Sequence, residues 1–240
     1  MSNIDWDKIH SLNWVSEPDC WKKCGDGFCC SNNRPEFGFR FLPQGHNTII
    51  YLKEEYEWLL SQGNAEGVEV KPLNLIIDGV TVIELYQADC RYLGLCKGHI
   101  ERPLLCKIYP YLPVIDGGRV IDLLPASLFD ITAEAVDLSI PCAIRDDKAK
   151  KMAEWNRSIE ILEVLNQPKL IFYFQSISIL IASYQKSIKN WSHSPGLNQL
   201  NFWKRWEVEF FKKSFHPFNK EENNIILENY HLYLNNGPVK

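Results

Sequence analysis

Residues 73–86 read Leu73-Asn-Leu-Ile-Ile-Asp78-Gly79-Val-Thr-Val-Ile-Glu-Leu-Tyr86 and decide the fold of the first half of the chain. Two apolar, β-branched runs, Leu73–Ile77 and Val80–Tyr86, flank the dipeptide Asp78-Gly79. A type I′ turn requires positive φ at both central positions, which Asp-Gly tolerates, so this stretch predicts a β-hairpin. A second hairpin is predicted over Val114–Leu124, around Asp116-Gly117-Gly118.

Short segments upstream of this hairpin also have strand composition. Phe37–Phe41 and Thr48–Leu52 are rich in aromatic or β-branched residues and predict two further strands. Lys53–Ser61 follows directly and predicts a short helix, with Gly63 just after its end. The apolar positions of this helix at helical spacing are Tyr56, Leu59 and Leu60.

After Asp147 the pattern becomes helical. Apolar residues at helical spacing form two stripes: Trp155, Ile159 and Leu162, then Leu197, Leu200, Trp203, Trp206 and Phe210. Turn signals predict helix boundaries at Gln167-Pro168, Ser194-Pro195 and Pro217. The pattern therefore predicts about four helices, the last near Glu221–Leu234, and Leu170–Tyr184 is expected to be a buried helix.

Cysteine is the strongest chemical signal in the chain. The eight cysteines form two groups and one isolated residue: Cys20, Cys24, Cys29 and Cys30; Cys90, Cys96 and Cys106; and Cys142. A deprotonated thiol is a soft ligand for zinc, copper(I) or iron–sulfur clusters, so thiols crowded in this way favour a metal site. Because Cys29 and Cys30 would point to opposite faces of an extended segment, either the turn there is tight or only one of them is a ligand.

Disulfide bonds are the alternative use of eight cysteines. The first ten residues include acidic side chains and lack the apolar segment of a secretory signal, so we expect a cytoplasmic protein, in which disulfides are rare. A chain of 240 residues with 45% apolar content can also bury a core without such crosslinks. These observations favour metal ligation.

The second cysteine group contains a recognisable motif. The motif resembles that of the YkgJ-like cysteine-cluster family of zinc- or iron-chelating proteins. It consists of Cys90-Arg-Tyr-Leu, then Cys96 followed after five residues by Arg102-Pro103, then Cys106 and Tyr109-Pro110. Cys24-Gly and Cys29-Cys30 resemble the opening motif of that family, in which the intervals are usually shorter. The resemblance covers roughly residues 20–125. A related cysteine cluster is found in flagellin lysine-N-methylases, which are linked to iron–sulfur chemistry.

The resemblance implies metal binding and rests on the seven cysteines of the two groups; with the isolated Cys142, all eight cysteines are candidate ligands. An iron–sulfur cluster, such as a 4Fe-4S cluster, is the expected cofactor because thiols outnumber well-placed histidines, and Zn²⁺ is the alternative. Arg102 is the candidate cofactor-binding residue, since its guanidinium group can donate hydrogen bonds to cluster sulfurs or to an anionic substrate. The alternative for Arg102 is a surface ion pair with an acid such as Glu101, and His99 is either a further ligand or an exposed loop residue.

Three classes of function follow. The first is an iron–sulfur protein in redox or enzyme chemistry. The second is a zinc-stabilised module that binds a protein partner. The third, suggested by the methylase resemblance alone, is an enzyme that modifies a protein side chain.

Composition and motifs make other classes less attractive. A net charge of −4 does not indicate general nucleic-acid binding, which requires excess positive charge. The most apolar run is shorter than the roughly 20 residues of a membrane span. No Ser-His-Asp array, phosphate-binding glycine loop or His-Glu-x-x-His motif is present in the sequence, so catalytic residues and the oligomeric state stay open.

Together these patterns predict an α+β fold. Residues 1–147 are expected to form a small cysteine-rich metal-binding region of β-hairpins and loops. Residues 148–240 are expected to form an all-helical region packed against it.

The cysteine assignment predicts the outcome of single Cys→Ser substitutions. Cys24→Ser, Cys90→Ser, Cys96→Ser and Cys106→Ser should each lower the metal content of the purified protein, since serine replaces a soft thiolate by a poor ligand. Cys142→Ser, and a substitution of one of Cys29 and Cys30, should retain metal and serve as controls. Metal content per chain is the measurement, and equal metal retention by every variant would show that the thiols are not ligands.

Overall fold

The computed structural model describes residues 4–12, 14, 47–66, 68–90, 102–125, 147, 159–192, 199–211 and 220–235. These ranges contain helices and small antiparallel sheets, so the described part is mixed α+β, as predicted. The elements are α1 (Trp6–Ser11), β1 (Asn47–Leu52), α2 (Lys53–Ser61), β2 (Val70–Pro72), β3 (Leu75–Ile77), β4 (Val80–Ile83), β5 (Leu85–Cys90), α3 (Leu104–Ile108), β6 (Tyr111–Asp116), β7 (Arg119–Pro125), a helical segment α4 (residues 159–165), α5 (Pro168–Ser192), α6 (Gln199–Phe211) and α7 (Lys220–Asn235).

The two predicted hairpins are confirmed. β3 and β4 pair around Asp78 and Gly79, whose φ angles are 47° and 81°. β6 and β7 pair around Gly117 and Gly118, with φ of 53° and 73°. Positive φ at both central positions is the backbone geometry that these residue pairs accommodate at low cost.

The predicted strand Val80–Tyr86 is wrong in one respect, because it is divided at Glu84. β4 pairs with β3, whereas β5 joins a separate three-stranded sheet of order β1-β5-β2. The Lys53 backbone N–H donates to the Glu84 carbonyl at 3.1 Å, and Lys53 Nζ lies 2.9 Å from the Glu84 carboxylate. These contacts continue the register of β1 on β5 beyond the pair Leu52 and Leu85. The chain can therefore change sheets within one residue.

The three-stranded sheet brings distant parts of the first half together. β1 runs antiparallel to β5, with Asn47 opposite Cys90 and Leu52 opposite Leu85. The prediction of a strand at Thr48–Leu52 followed by a helix at Lys53–Ser61 is thus confirmed, whereas the strand predicted at Phe37–Phe41 lies outside the described residues. A small apolar cluster packs α2 on this sheet and comprises Tyr51, Leu59, Ala65 and Ala88.

The buried face of α2 differs from the predicted one. Leu59 is buried as expected, but the Leu60 side chain is 47% exposed. Glu55, one turn before Leu59, is 1% exposed and shares the buried face. Glu55 therefore lies on the buried face of α2, whereas Leu60, which the hydrophobic pattern placed on that face, does not.

The C-terminal half forms four helical segments in its described ranges, as predicted. α5 begins at Pro168, where a missing N–H costs nothing because the first amides of a helix lack intrahelical acceptors. In α4 the buried residues are Ile161, Val164 and Leu165, whereas Ile159 is 65% exposed. The buried face thus lies nearly opposite Ile159, and packing rather than local pattern determines it. Trp206 of the second stripe is buried, while Trp155, Leu197 and the side chains of Leu200, Trp203 and Phe210 lie outside the description.

The main core draws on both halves of the chain. Its buried members come from the N-terminal segment, the hairpins and the helices, and include Ile9, Trp14, Ile77, Leu104, Val120, Leu165, Phe174 and Ile226. Within the described ranges, the helices are too short or too polar to cross a membrane. The predicted division of the chain into regions 1–147 and 148–240 stays a prediction, because a core shared by both halves is compatible with one domain or with two packed regions.

Asn166 closes the outer edge of the β6–β7 hairpin. Its Oδ1 accepts the Val120 backbone N–H at 2.7 Å, and its Nδ2 donates to the Val120 carbonyl at 3.2 Å and to the Leu162 carbonyl at 2.8 Å. The amide side chain thus takes the place of a neighbouring strand and joins β7 to the helical half.

We predict that Asn166→Ala lowers the free energy of unfolding by about 1–3 kcal/mol, because partly buried backbone groups of β7 lose their partners. Asn166→Asp should also destabilise, since a carboxylate cannot donate to the Val120 carbonyl. Asn224→Ala, at an exposed position of α7, is the matched control and should change stability by less than about 0.5 kcal/mol. Urea unfolding is the measurement, and equal effects of Asn166→Ala and Asn224→Ala would contradict the proposed role of Asn166.

Candidate metal-binding site

Two of the eight cysteines fall within the described residues. Cys90 is the last residue of β5, and Cys106 lies in α3, where it is exposed. The other predicted ligands lie outside the description: Cys20, Cys24, Cys29, Cys30, Cys96 and Cys142. Within the described ranges, no three His, Cys, Asp or Glu side chains form a group that could hold a metal ion.

Cys90 and Cys106 belong to elements with a common neighbour. β5 is paired with β1 along its whole length, and α3 lies against β1. β1 is therefore in contact both with the strand that ends at Cys90 and with the helix that carries Cys106.

The short helix α3 has a buried side and an exposed thiol. Leu104, Lys107 and Ile108 are buried, whereas Cys106 is exposed. The amides of Cys106 and Lys107 both donate to the Pro103 carbonyl, at 2.9 and 3.0 Å, which closes the helical turn. The apolar side chains of α3 thus anchor the helix while the thiol remains accessible for chemistry.

Arg102 lies two residues before the first residue of this helix and is half-buried. Its Nε is buried and has no hydrogen-bond partner among the described residues. A buried guanidinium N–H without an acceptor is costly, so this atom is available to an acceptor such as a sulfur or an anion. The alternative of an ion pair with Glu101 concerns a residue outside the description.

A buried polar cluster around Glu55 supports α3 from within, and sequence patterns did not identify it. Glu55 Oε1 accepts the backbone N–H of Leu104 at 2.5 Å. Pro103 precedes Leu104 and provides no side-chain cap, so the first amide of α3 uses an acceptor 49 residues away in the chain. The same carboxylate oxygen lies 3.4 Å from Nε2 of His10, which is also buried.

Aromatic rings enclose His10. Its ring stacks on Trp58 with centroids 4.5 Å apart and lies 6.1 Å from the ring of Trp6. Trp58 is held in turn by α1, because its Nε1 donates to Asp7 Oδ1 at 3.1 Å. Within the described residues, the Glu55 carboxylate and His10 are therefore held between α1 and α2.

Tyr173 of α5 is buried and is influenced by the charge of Glu55. Burial raises the pKa of the Tyr173 hydroxyl well above its usual value, and the negative charge of Glu55 raises the pKa further.

Sequence reasoning missed Glu55 and His10 for an identifiable reason. Hydrophobic periodicity assigns charged residues to the solvent side of a helix, and only the i, i+4 relation of Glu55 to Leu59 hinted at burial. The aromatic residues around His10 are separated from each other by about 50 positions in the chain, so their contact is a property of the tertiary structure.

No family model matches this sequence, and comparison with curated proteins and with solved structures found no similar chain. The resemblance to the YkgJ-like family therefore rests on cysteine spacing and stays a hypothesis.

The raised pKa of Tyr173 predicts a specific loss of stability in alkali. The unfolded chain releases the Tyr173 proton near pH 10 and the folded chain does not, so this group contributes stability below about pH 10 that is lost as pH rises further. Between about pH 9 and pH 11, the wild-type protein should lose about 1.4 kcal/mol more unfolding free energy than Tyr173→Phe.

Urea unfolding at several pH values is the measurement for this prediction. Tyr86→Phe, which leaves Tyr173 in place, is the control and should follow the wild-type pH dependence. Identical pH dependence of Tyr173→Phe and wild type would contradict the burial argument.

Proposed function

We propose that this protein binds an iron–sulfur cluster through cysteine thiolates and serves a redox or enzyme-associated role in a reducing compartment such as the cytoplasm. The observation that carries the proposal is the register of β1 on β5, with Asn47 opposite Cys90. The first cysteine group precedes β1 in the chain, and the second begins at the end of β5. Both groups are thus connected to the same end of the sheet, which favours one shared site.

The chemistry of the available donors fits a cluster. Cysteine thiolates are the usual ligands of iron–sulfur clusters, and Cys106 offers an exposed thiol on a helix that lies against β1. Arg102, four residues earlier, has a buried Nε that could donate to a cluster sulfur. The predicted ligands would come from both cysteine groups. The cluster itself would supply electron transfer, with its potential adjusted by such hydrogen bonds.

Zinc is the alternative metal. Chemical analysis of the bound group distinguishes a zinc site from an iron–sulfur cluster. An iron–sulfur cluster contains inorganic sulfide, whereas a structural zinc site contains none. The spacing resemblance to a family of zinc- or iron-chelating proteins supports metal binding of either kind and does not choose between them.

We predict that protein purified without oxygen contains iron and acid-labile sulfide and absorbs visible light. Iron, zinc and sulfide are measured per chain, together with the electronic spectrum before and after exposure to air. A variant in which Cys90, Cys96 and Cys106 are all replaced by Ser is the control and should lack both iron and visible absorption.

Two outcomes would contradict the iron–sulfur assignment. Stoichiometric zinc without sulfide would replace it by the zinc-stabilised module, for which a protein partner would be the next question. Protein that carries no metal, and takes up neither zinc nor iron with sulfide when reduced, would contradict metal binding altogether.

A further inference from the structure

We propose that Glu55 is a positioning residue for the second cysteine group. Its buried carboxylate holds the start of α3 and thereby sets the position of Cys106 before any metal binds. The inference rests on the proposed function, since Cys106 needs a defined position only if it is a ligand.

The geometry of α3 makes Glu55 the decisive contact. α3 is one short turn of helix, Leu104–Ile108, and a helix of this length is not stable through its own hydrogen bonds. Its first amide, that of Leu104, donates to Glu55 Oε1 at 2.5 Å, and Cys106 follows two residues later. A charged acceptor forms a stronger hydrogen bond than a neutral one, and here the bond is shielded from water.

Among the described residues, the partners of Glu55 come from the main chain and from α1. His10 lies 3.4 Å from the same carboxylate oxygen that accepts the Leu104 amide. Its neighbour Glu54 forms an ion pair with Lys169 at the start of α5, which ties α2 to the long helix. The support of α3 therefore exists without metal, and one side of the proposed site is preorganised.

The first experiment measures the support of α3 directly in metal-free, reduced, full-length protein. Hydrogen exchange at the Leu104 amide should be about tenfold faster in Glu55→Ala than in wild type, because the amide loses its acceptor. Glu55→Gln keeps an acceptor oxygen and should restore most of the protection. Glu57→Ala, at an exposed position of the same helix, is the matched control and should exchange at the wild-type rate.

The second experiment connects Glu55 to metal binding, with Co²⁺ alone as the probe. Titration of reduced protein should show about 10–100-fold weaker Co²⁺ binding in Glu55→Ala than in Glu57→Ala. In a Cys106→Ser background, the same Glu55→Ala change should have almost no further effect. This non-additivity arises only if Glu55 acts through Cys106, whereas general loss of structure would weaken binding in both backgrounds.

The outcomes separate this inference from the proposed function. Two results would overturn the positioning role while leaving metal binding intact. One is a hydrogen-exchange rate at the Leu104 amide of Glu55→Ala that equals the wild-type rate. The other is an equal loss of Co²⁺ affinity on Glu55→Ala substitution in the wild-type and in the Cys106→Ser backgrounds. Absence of Co²⁺ binding by wild type and Glu57→Ala alike would contradict the proposed function, and with it the assignment of Glu55 to a metal site. If Glu55→Ala does not fold, Glu55→Gln carries both measurements, with effects smaller in size but equal in sign.

Discussion

The carboxylate of Glu55 is the interaction on which the arrangement of the N-terminal half depends. It is buried on α2, accepts the Leu104 amide of α3 and lies 3.4 Å from His10 of α1, and its charge also acts on Tyr173 of α5. Burying a carboxylate is expensive unless hydrogen bonds and polar groups compensate, so these elements can pack only in the arrangement that supplies them. Removing Glu55 would leave an amide and an imidazole without a common partner. The packing of α1, α2, α3 and α5 therefore depends in part on this one carboxylate.

Small sheets create a related problem, which side chains solve at several places. A two-stranded hairpin leaves backbone groups unpaired on its outer edges, and such groups need partners when they are removed from water. Asn166 supplies them for Val120 of β7. Side-chain amides also accept backbone N–H groups elsewhere: Asn74 accepts the amide of Leu85 at the start of β5, and Gln167 accepts the amide of Asp5 just before α1.

These long-range contacts bear on the proposed metal site. The supports of α3 are carboxylate, imidazole and apolar groups of the main core, and Cys106 projects from the exposed side of that helix. A site built in this way would gain metal affinity, because Cys106 would lose little conformational entropy when a metal binds. Because the core includes residues from both halves, a metal bound at Cys106 would be coupled to the helices through α3 as well as through the cysteine segments.

Local chemistry explains what could be read from the sequence. The turns at Asp78-Gly79 and Gly117-Gly118, the helix Lys53–Ser61 and the start of α5 at Pro168 depend on backbone preferences of a few adjacent residues, and each was predictable. The cysteine groups likewise named the candidate ligands. By contrast, the division at Glu84, the buried faces of α2 and α4, and the burial of Glu55 depend on residues that are distant in the chain, such as Leu104, 49 residues from Glu55. Only the tertiary structure could decide these features, because a buried charge or an exposed isoleucine is determined by what packs against it and not by its neighbours in the chain.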